Sequence, residues 1–130
     1  MSMKKKILLI DDSPFFLKAL SDLLGEDFLV VTASTGEKAI ELLEASDRDT
    51  LGYCEPFDLI ITDLMMPGLS GYDVAEFVRG KNRKNKFIPV IMVSGMELTK
   101  EEARKFGCAT YIPKTNLKKV VSMVRIMFLK

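Results

Sequence analysis

The feature that most constrains this chain is a repeated unit: a short apolar run that stops on a polar residue, then a segment with helical spacing. The runs are Ile7–Ile10, Leu29–Val31, Leu59–Ile61, Ile88–Val93 and the short Tyr111–Ile112. Short uninterrupted runs of Ile, Leu and Val fit strands buried on both faces. Phe16, Ala19, Leu20, Leu23 and Leu24 form one helical stripe. Ala39, Ile40, Leu42 and Leu43 form a second, after a helix start at Ser34-Thr35-Gly36-Glu37. Val74, Ala75 and Val78 mark a third helix, ended by Gly80. Thr99 to Phe106 is a short, charged fourth with Gly107 as its stop, and Leu117, Val120, Val121, Val124 and Phe128 mark a fifth. Five strand-then-helix units require crossover connections, so the strands form a parallel sheet with helices on both faces. The first, third and fourth runs are the most apolar and are expected at its centre. No repeat, low-complexity tract or linker divides the chain, and residues 1–130 read as one domain.

Composition narrows the function classes. The formal net charge of +1 argues against bulk attraction to nucleic acid or an acidic membrane. No apolar run approaches the roughly 18 residues of a membrane span. The basic start, Met1 to Lys6, leads into an apolar stretch too short for a signal peptide. Cys54 and Cys108 form no Cys-x-x-Cys and are expected to be reduced thiols in a cytoplasmic protein. The chain holds no histidine, which removes histidine metal sites, histidine acid–base catalysis and a phosphohistidine on this chain.

The polar residues that end the runs are chemically related. They are Asp11-Asp12, Thr62-Asp63, Ser94-Gly95 and Pro113-Lys114. In an open parallel sheet, ligands bind beyond the carboxyl ends of the strands. Four strands thus deliver three carboxylates, a hydroxyl and an ammonium to one edge. Three ionised carboxylates repel one another unless a cation joins them, and Mg²⁺ prefers a few carboxylates plus waters and phosphate oxygens. A lysine and a hydroxyl suit the phosphate oxygens that the metal leaves. Phosphoryl transfer needs mainly positioning and charge neutralisation, and a carboxylate can act as its nucleophile.

Ile7-Leu8-Leu9-Ile10-Asp11-Asp12 resembles the acidic-pair strand of the response-regulator receiver family. Asp58-Leu59-Ile60-Ile61-Thr62-Asp63-Leu64-Met65-Met66-Pro67-Gly68-Leu69-Ser70-Gly71 resembles its phosphoacceptor strand and loop. Pro89-Val90-Ile91-Met92-Val93-Ser94-Gly95 and Tyr111-Ile112-Pro113-Lys114 resemble its hydroxyl and lysine strands. The resemblance implies the flavodoxin-like (βα)5 fold with sheet order 2-1-3-4-5. It implies a phosphoacceptor switch of a two-component phosphorelay, not a turnover enzyme. Asp63 would accept the phosphoryl group from a sensor histidine kinase or histidine phosphotransfer protein. Asp12, Asp63 and the carbonyl of Met65 would bind Mg²⁺, with Asp11 partly through water. Ser94 and Lys114 would bind phosphoryl oxygens, and Ser94 and Tyr111 would form the switch. Output would be through a downstream protein or a homodimer.

Simpler readings exist for single residues. Asp11-Asp12 also suits the cap of a helix beginning near Pro14, and Asp63 a turn before Pro67-Gly68. Ser94 also suits the opening of a loop, Lys114 an ordinary surface position and Tyr111 a packed aromatic. Lys81 to Lys86 holds four cations and reads as a solvated loop at the opposite sheet edge, as does the long connection Ala45–Phe57. A haloacid-dehalogenase-type phosphatase needs a second acid two residues after its nucleophile, where this chain has Met65. A flavodoxin-type carrier needs a hydroxyl- and glycine-rich loop where Asp11-Asp12-Ser13-Pro14 stands. No Gly-x-Gly-x-x-Gly supports a dinucleotide site, and the full acidic set with Lys114 argues against an unphosphorylated receiver relative.

Four departures or specific features stand out. Thr115 follows Lys114 where the resembling family usually has a cis proline, so a trans bond is expected. The Ser94-to-Lys114 span is short, which implies a truncated fourth helix. Met65 and Met96 lie two residues beyond the acceptor and the hydroxyl, positions that in the resembling family flank the path of the attacking water, and slow phosphoryl hydrolysis is expected because neither orients that water. On the fifth helix, Leu117, Val120, Val121, Val124, Met127 and Phe128 share the core arc, leaving Met123 and Ile126 as an expected outer patch.

Overall fold

The computed structural model describes residues 4–49, 51–52, 55–80, 83 and 86–129. Its elements alternate strictly: β1 (Lys6–Ile10), α1 (Pro14–Leu24), β2 (Leu29–Ala33), α2 (Gly36–Arg48), β3 (Leu59–Thr62), α3 (Gly71–Val78), β4 (Val90–Ser94), α4 (Lys100–Lys105), β5 (Thr110–Pro113) and α5 (Leu117–Phe128). The five strands form one sheet in the order β2-β1-β3-β4-β5, every pair parallel. The expected fold class and the central position of the first, third and fourth strands are borne out.

Alternate residues of the central strands feed two cores, because successive side chains on a strand point to opposite faces. Leu8, Ile10, Ile60, Val90 and Met92 pack toward Leu43, Val74, Ala75, Val78 and Ala103 of α2, α3 and α4. Ile7, Leu9, Leu59, Ile61, Ile91, Val93 and Ile112 pack toward Phe16, Leu20, Leu24, Val120 and Val124 of α1 and α5. The edge strand β2 leaves Leu29 exposed, as only one neighbour covers it.

Helix starts follow the capping chemistry of short hydroxyl side chains. Ser13 caps α1, accepting from the Phe16 N–H, with Pro14 in the first turn. The Asp11-Asp12 pair is therefore not the N-cap. Thr35 caps α2, Thr99 caps α4 and Asn116 caps α5. Ser70 and Asp73 form a reciprocal capping box on α3.

Several boundaries depart from expectation. β4 begins at Val90 rather than Ile88, and Pro89 between them has no N–H to give a neighbouring strand. α2 continues to Arg48, so Ala45 to Arg48 is helix and not connection. The reason is distant in sequence: Asp47 on that last turn receives Arg83 at 2.6 and 2.9 Å. Cys54, Lys81 and Lys84 lie outside the described residues, so the expectations for those loop positions are not addressed there. Cys108 is a free, buried thiol. α4 is short, six residues, in line with the short span read from the sequence.

On α5 the outer patch differs from expectation. Ile126 is exposed, but Met123 packs against the core and Met127 is exposed. Met127 lies in the last helical turn, where the edge of the core no longer covers it. Met123, one turn earlier, is unbranched enough to fold along the covered surface. Phe128 on the other side of that turn meets Phe28 edge-on, with ring centroids 6.1 Å apart.

Candidate functional site

Strand register gathers the polar strand ends. Ile10 is level with both Ala33 and Thr62, and Ser94 with Pro113. Backbone bonds continue the ladder one residue further: Asp63 N–H donates to the Ile10 carbonyl at 2.9 Å, and Lys114 N–H to the Ser94 carbonyl at 2.9 Å. Asp11, Asp63 and Lys114 each follow the last residue of a strand and Ser94 ends β4, so the four stand at one edge of the parallel sheet.

Ligand atoms of Asp11, Asp12 and Asp63 lie within 4.8 Å of one another. Asp11 is fully buried and Asp63 is 6% exposed, whereas Asp12 is open to solvent. Asp11 Oδ1 accepts the Ser13 N–H at 2.9 Å, which both fixes the carboxylate and starts α1. Asp63 Oδ1 accepts the Leu64 N–H at 2.8 Å. Lys114 Nζ lies 2.8 Å from Asp11 Oδ2 and 3.2 Å from Asp63 Oδ2. The closer of the two contacts is thus the ion pair with the fully buried Asp11.

Electrostatics follow from this crowding. Burial pushes the Asp11 carboxyl above its ordinary value, opposed by Lys114 and the Ser13 N–H, while Asp63 adds to the rise. Burial pulls Lys114 down, but hydrogen bonding and attraction to Asp11 and Asp63 outweigh it and leave its pKa raised. One ammonium against three carboxylates leaves surplus negative charge in a largely buried place. An all-oxygen donor set with that surplus fits a hard divalent cation.

Ser94 is buried, and its Oγ accepts the Met96 N–H at 3.1 Å. The half-buried Tyr111 donates its hydroxyl to the Met96 carbonyl at 2.8 Å. Both residues thus hold the backbone of Met96. The side chains of Met65 and Met96 are exposed. The Lys114–Thr115 bond is trans, since no cis peptide occurs among the described residues.

Two contacts were not legible from the sequence. Phe16, read there only as part of a core stripe, places its ring 4.7 Å from Lys114 Nζ. Glu37, read as part of a helix start, accepts the Leu69 N–H at 3.3 Å and so ties the loop after β3 to α2. That loop also needs Gly71, where any Cβ would collide with the Asp63 carbonyl oxygen.

The arrangement agrees with comparisons to known proteins. The sequence matches the response regulator receiver domain over residues 7–125. It is 34% identical over 124 residues to the transcriptional regulatory protein CpxR of Escherichia coli K12, covering 92% of this chain and 47% of that protein. The chain thus spans about half the length of that curated relative. The receiver domain of the Francisella response regulator 1452 superposes with a TM-score of 0.79 at 25% identity, over 95% of this chain and 96% of that one. The receiver domain of the histidine kinase CKI1 from Arabidopsis thaliana, complexed with Mg²⁺ and BeF3⁻, gives a TM-score of 0.77 at 27% identity, over 97% and 91% of the two chains. With its fold, its strand-end carboxylates and these matches together, this chain belongs to the response regulator receiver domain family.

Proposed function

We propose that residues 1–130 act as one receiver domain, a phosphoacceptor switch of a two-component phosphorelay with Asp63 as the acceptor. The observation that carries the reading is Lys114 Nζ lying within 3.2 Å of Asp63 while three carboxylates share one edge. An Asp63 carboxylate oxygen attacks phosphorus as the phosphorus–nitrogen bond of a donor phosphohistidine breaks, the imidazole leaving with the electron pair. Lys114, and Ser94 once released from the Met96 N–H, hold phosphoryl oxygens in place. Asp11, Asp12, Asp63 and the Met65 carbonyl are the residues that would hold Mg²⁺, which supplies charge neutralisation when bound. The Mg²⁺ and BeF3⁻ bound by the related CKI1 receiver domain support that choice of ion.

The donor in this reading is a sensor histidine kinase or histidine phosphotransfer protein, since this chain has no histidine of its own. The chain takes up one phosphoryl group per molecule and does not turn over substrate. Tyr111 and Ser94 carry the change outward, toward a downstream protein or a second copy of the chain. A cytoplasmic location suits such a donor, and among the described residues no helix is long and apolar enough to cross a membrane.

Intact-mass analysis after treatment with acetyl phosphate and Mg²⁺ tests the reading. One added phosphoryl group is expected, absent in Asp63→Asn and strongly slowed by a chelator. An adduct that persists in Asp63→Asn, or forms at full rate without free metal, overturns it.

A further inference from the structure

An ammonium has three N–H donors, and two of the neighbours of Lys114 are the carboxylates of Asp11 and Asp63. The third is not a polar atom. It is the ring of Phe16, whose centroid lies 4.7 Å from Nζ. The ring is fixed: Phe16 is 8% exposed, belongs to the core between α1 and the sheet, and donates its backbone N–H to the capping Ser13. Lys114 is less constrained beyond its backbone, since Pro113, Thr115 and Asn116 around it are all exposed.

We propose that Phe16 is a positioning residue for Lys114, holding the ammonium over the site through the face of its ring while the ionic partners of the lysine change. The inference rests on the phosphoacceptor reading above. The negative face of an aromatic ring attracts an ammonium within about 6 Å. A hard cation entering the acidic cluster draws on the same carboxylate oxygens that now pair with Lys114, whereas it has no use for a ring face. Among the described residues, the Phe16 ring is thus the neighbour of the ammonium that metal binding does not compete for. An aliphatic side chain at this position would fill the core but would lack the quadrupole.

The test uses the whole chain with Phe16→Leu, Phe16→Tyr and 3,4,5-trifluorophenylalanine at position 16. The last keeps the shape of the ring and removes its negative face. In metal-free protein, the ε-methylene protons of Lys114 should show an upfield ring-current shift by NMR, kept in Phe16→Tyr and lost in Phe16→Leu. With saturating Mg²⁺ and acetyl phosphate, phosphorylation of Asp63 should slow about 3- to 10-fold in the Leu and trifluoro variants and stay near wild type in Phe16→Tyr. The Mg²⁺ concentration for half-maximal rate should change little, because Phe16 touches no proposed metal ligand through a polar atom. Equal Lys114 shifts in wild type and Phe16→Leu, or a wild-type rate in the trifluoro variant, would overturn the inference. A wild-type chain that gains no phosphoryl group would defeat the phosphoacceptor reading instead, and the NMR arm would still decide the contact.

Discussion

Cys108 offers a quantitative check on the packing where α4 turns into β5. The thiol is 4% exposed, and burial pushes its pKa from 9.0 to about 11, against a lowering pull from the Arg79 guanidinium. The folded state therefore keeps its proton in a range where the unfolded chain has lost it. Fewer protons bound in the unfolded state means that stability falls as pH rises, starting near the unfolded pKa of 9.0 and levelling off beyond about 11. With a two-unit rise, the loss from this one group reaches about 1.4 kcal/mol at pH 10 and approaches about 2.7 kcal/mol at higher pH. Lysines and tyrosines also titrate there, so the measurement is a difference. Urea unfolding of wild type and Cys108→Ala from pH 7 to 10.5 should show a constant gap below pH 8, from the cavity that alanine leaves. The gap should then shrink by about 1 kcal/mol or more by pH 10. A gap that stays constant to pH 10.5 would refute the argument that burial governs this thiol.

Three further outcomes follow from the site and its supports. Met65→Asn and Met96→Glu should each hasten decay of the phosphorylated form, followed by intact mass after removal of donor; decay in wild type as fast as in both variants would contradict the apolar-flank argument. Asp47→Ala should cost about 3 kcal/mol in urea unfolding, because it strands the Arg83 guanidinium, whose side chain is 5% exposed. Ile126→Glu should leave phosphorylation of Asp63 intact while abolishing phosphorylation-dependent association in sedimentation, given that Ile126 is 80% exposed; unchanged association would place the output face elsewhere.

What the sequence disclosed, and what it hid, divides by the range of the interactions involved. The central strands were legible because burial on both faces leaves an uninterrupted apolar run, and Asp63 and Lys114 were legible because each sits at the end of such a run. Their meeting, 51 residues apart in the chain, follows from parallel register alone. The end of α2 was hidden: its apolar stripe stops at Leu43, and the last turn is tied to Arg83, 36 residues away from Asp47. Met123 and Met127 exchanged places because a helical wheel has no ends, whereas the sheet does. Phe16 was visible as a core residue and invisible as a neighbour of Lys114, since an aromatic at a buried helical position looks the same in either role.

The two hydrogen bonds that the Ser94 and Tyr111 side chains make to Met96 use only main-chain atoms of Met96, one on each side of its α-carbon. Any amino acid but proline can supply both, because proline alone lacks the N–H. Position 96 is thus free to drift in side chain without cutting the connection between strand β4 and the aromatic on β5. Under the proposed phosphoacceptor role, a change of side chain at position 96 alters the surface beside the acidic edge and leaves both of these bonds in place.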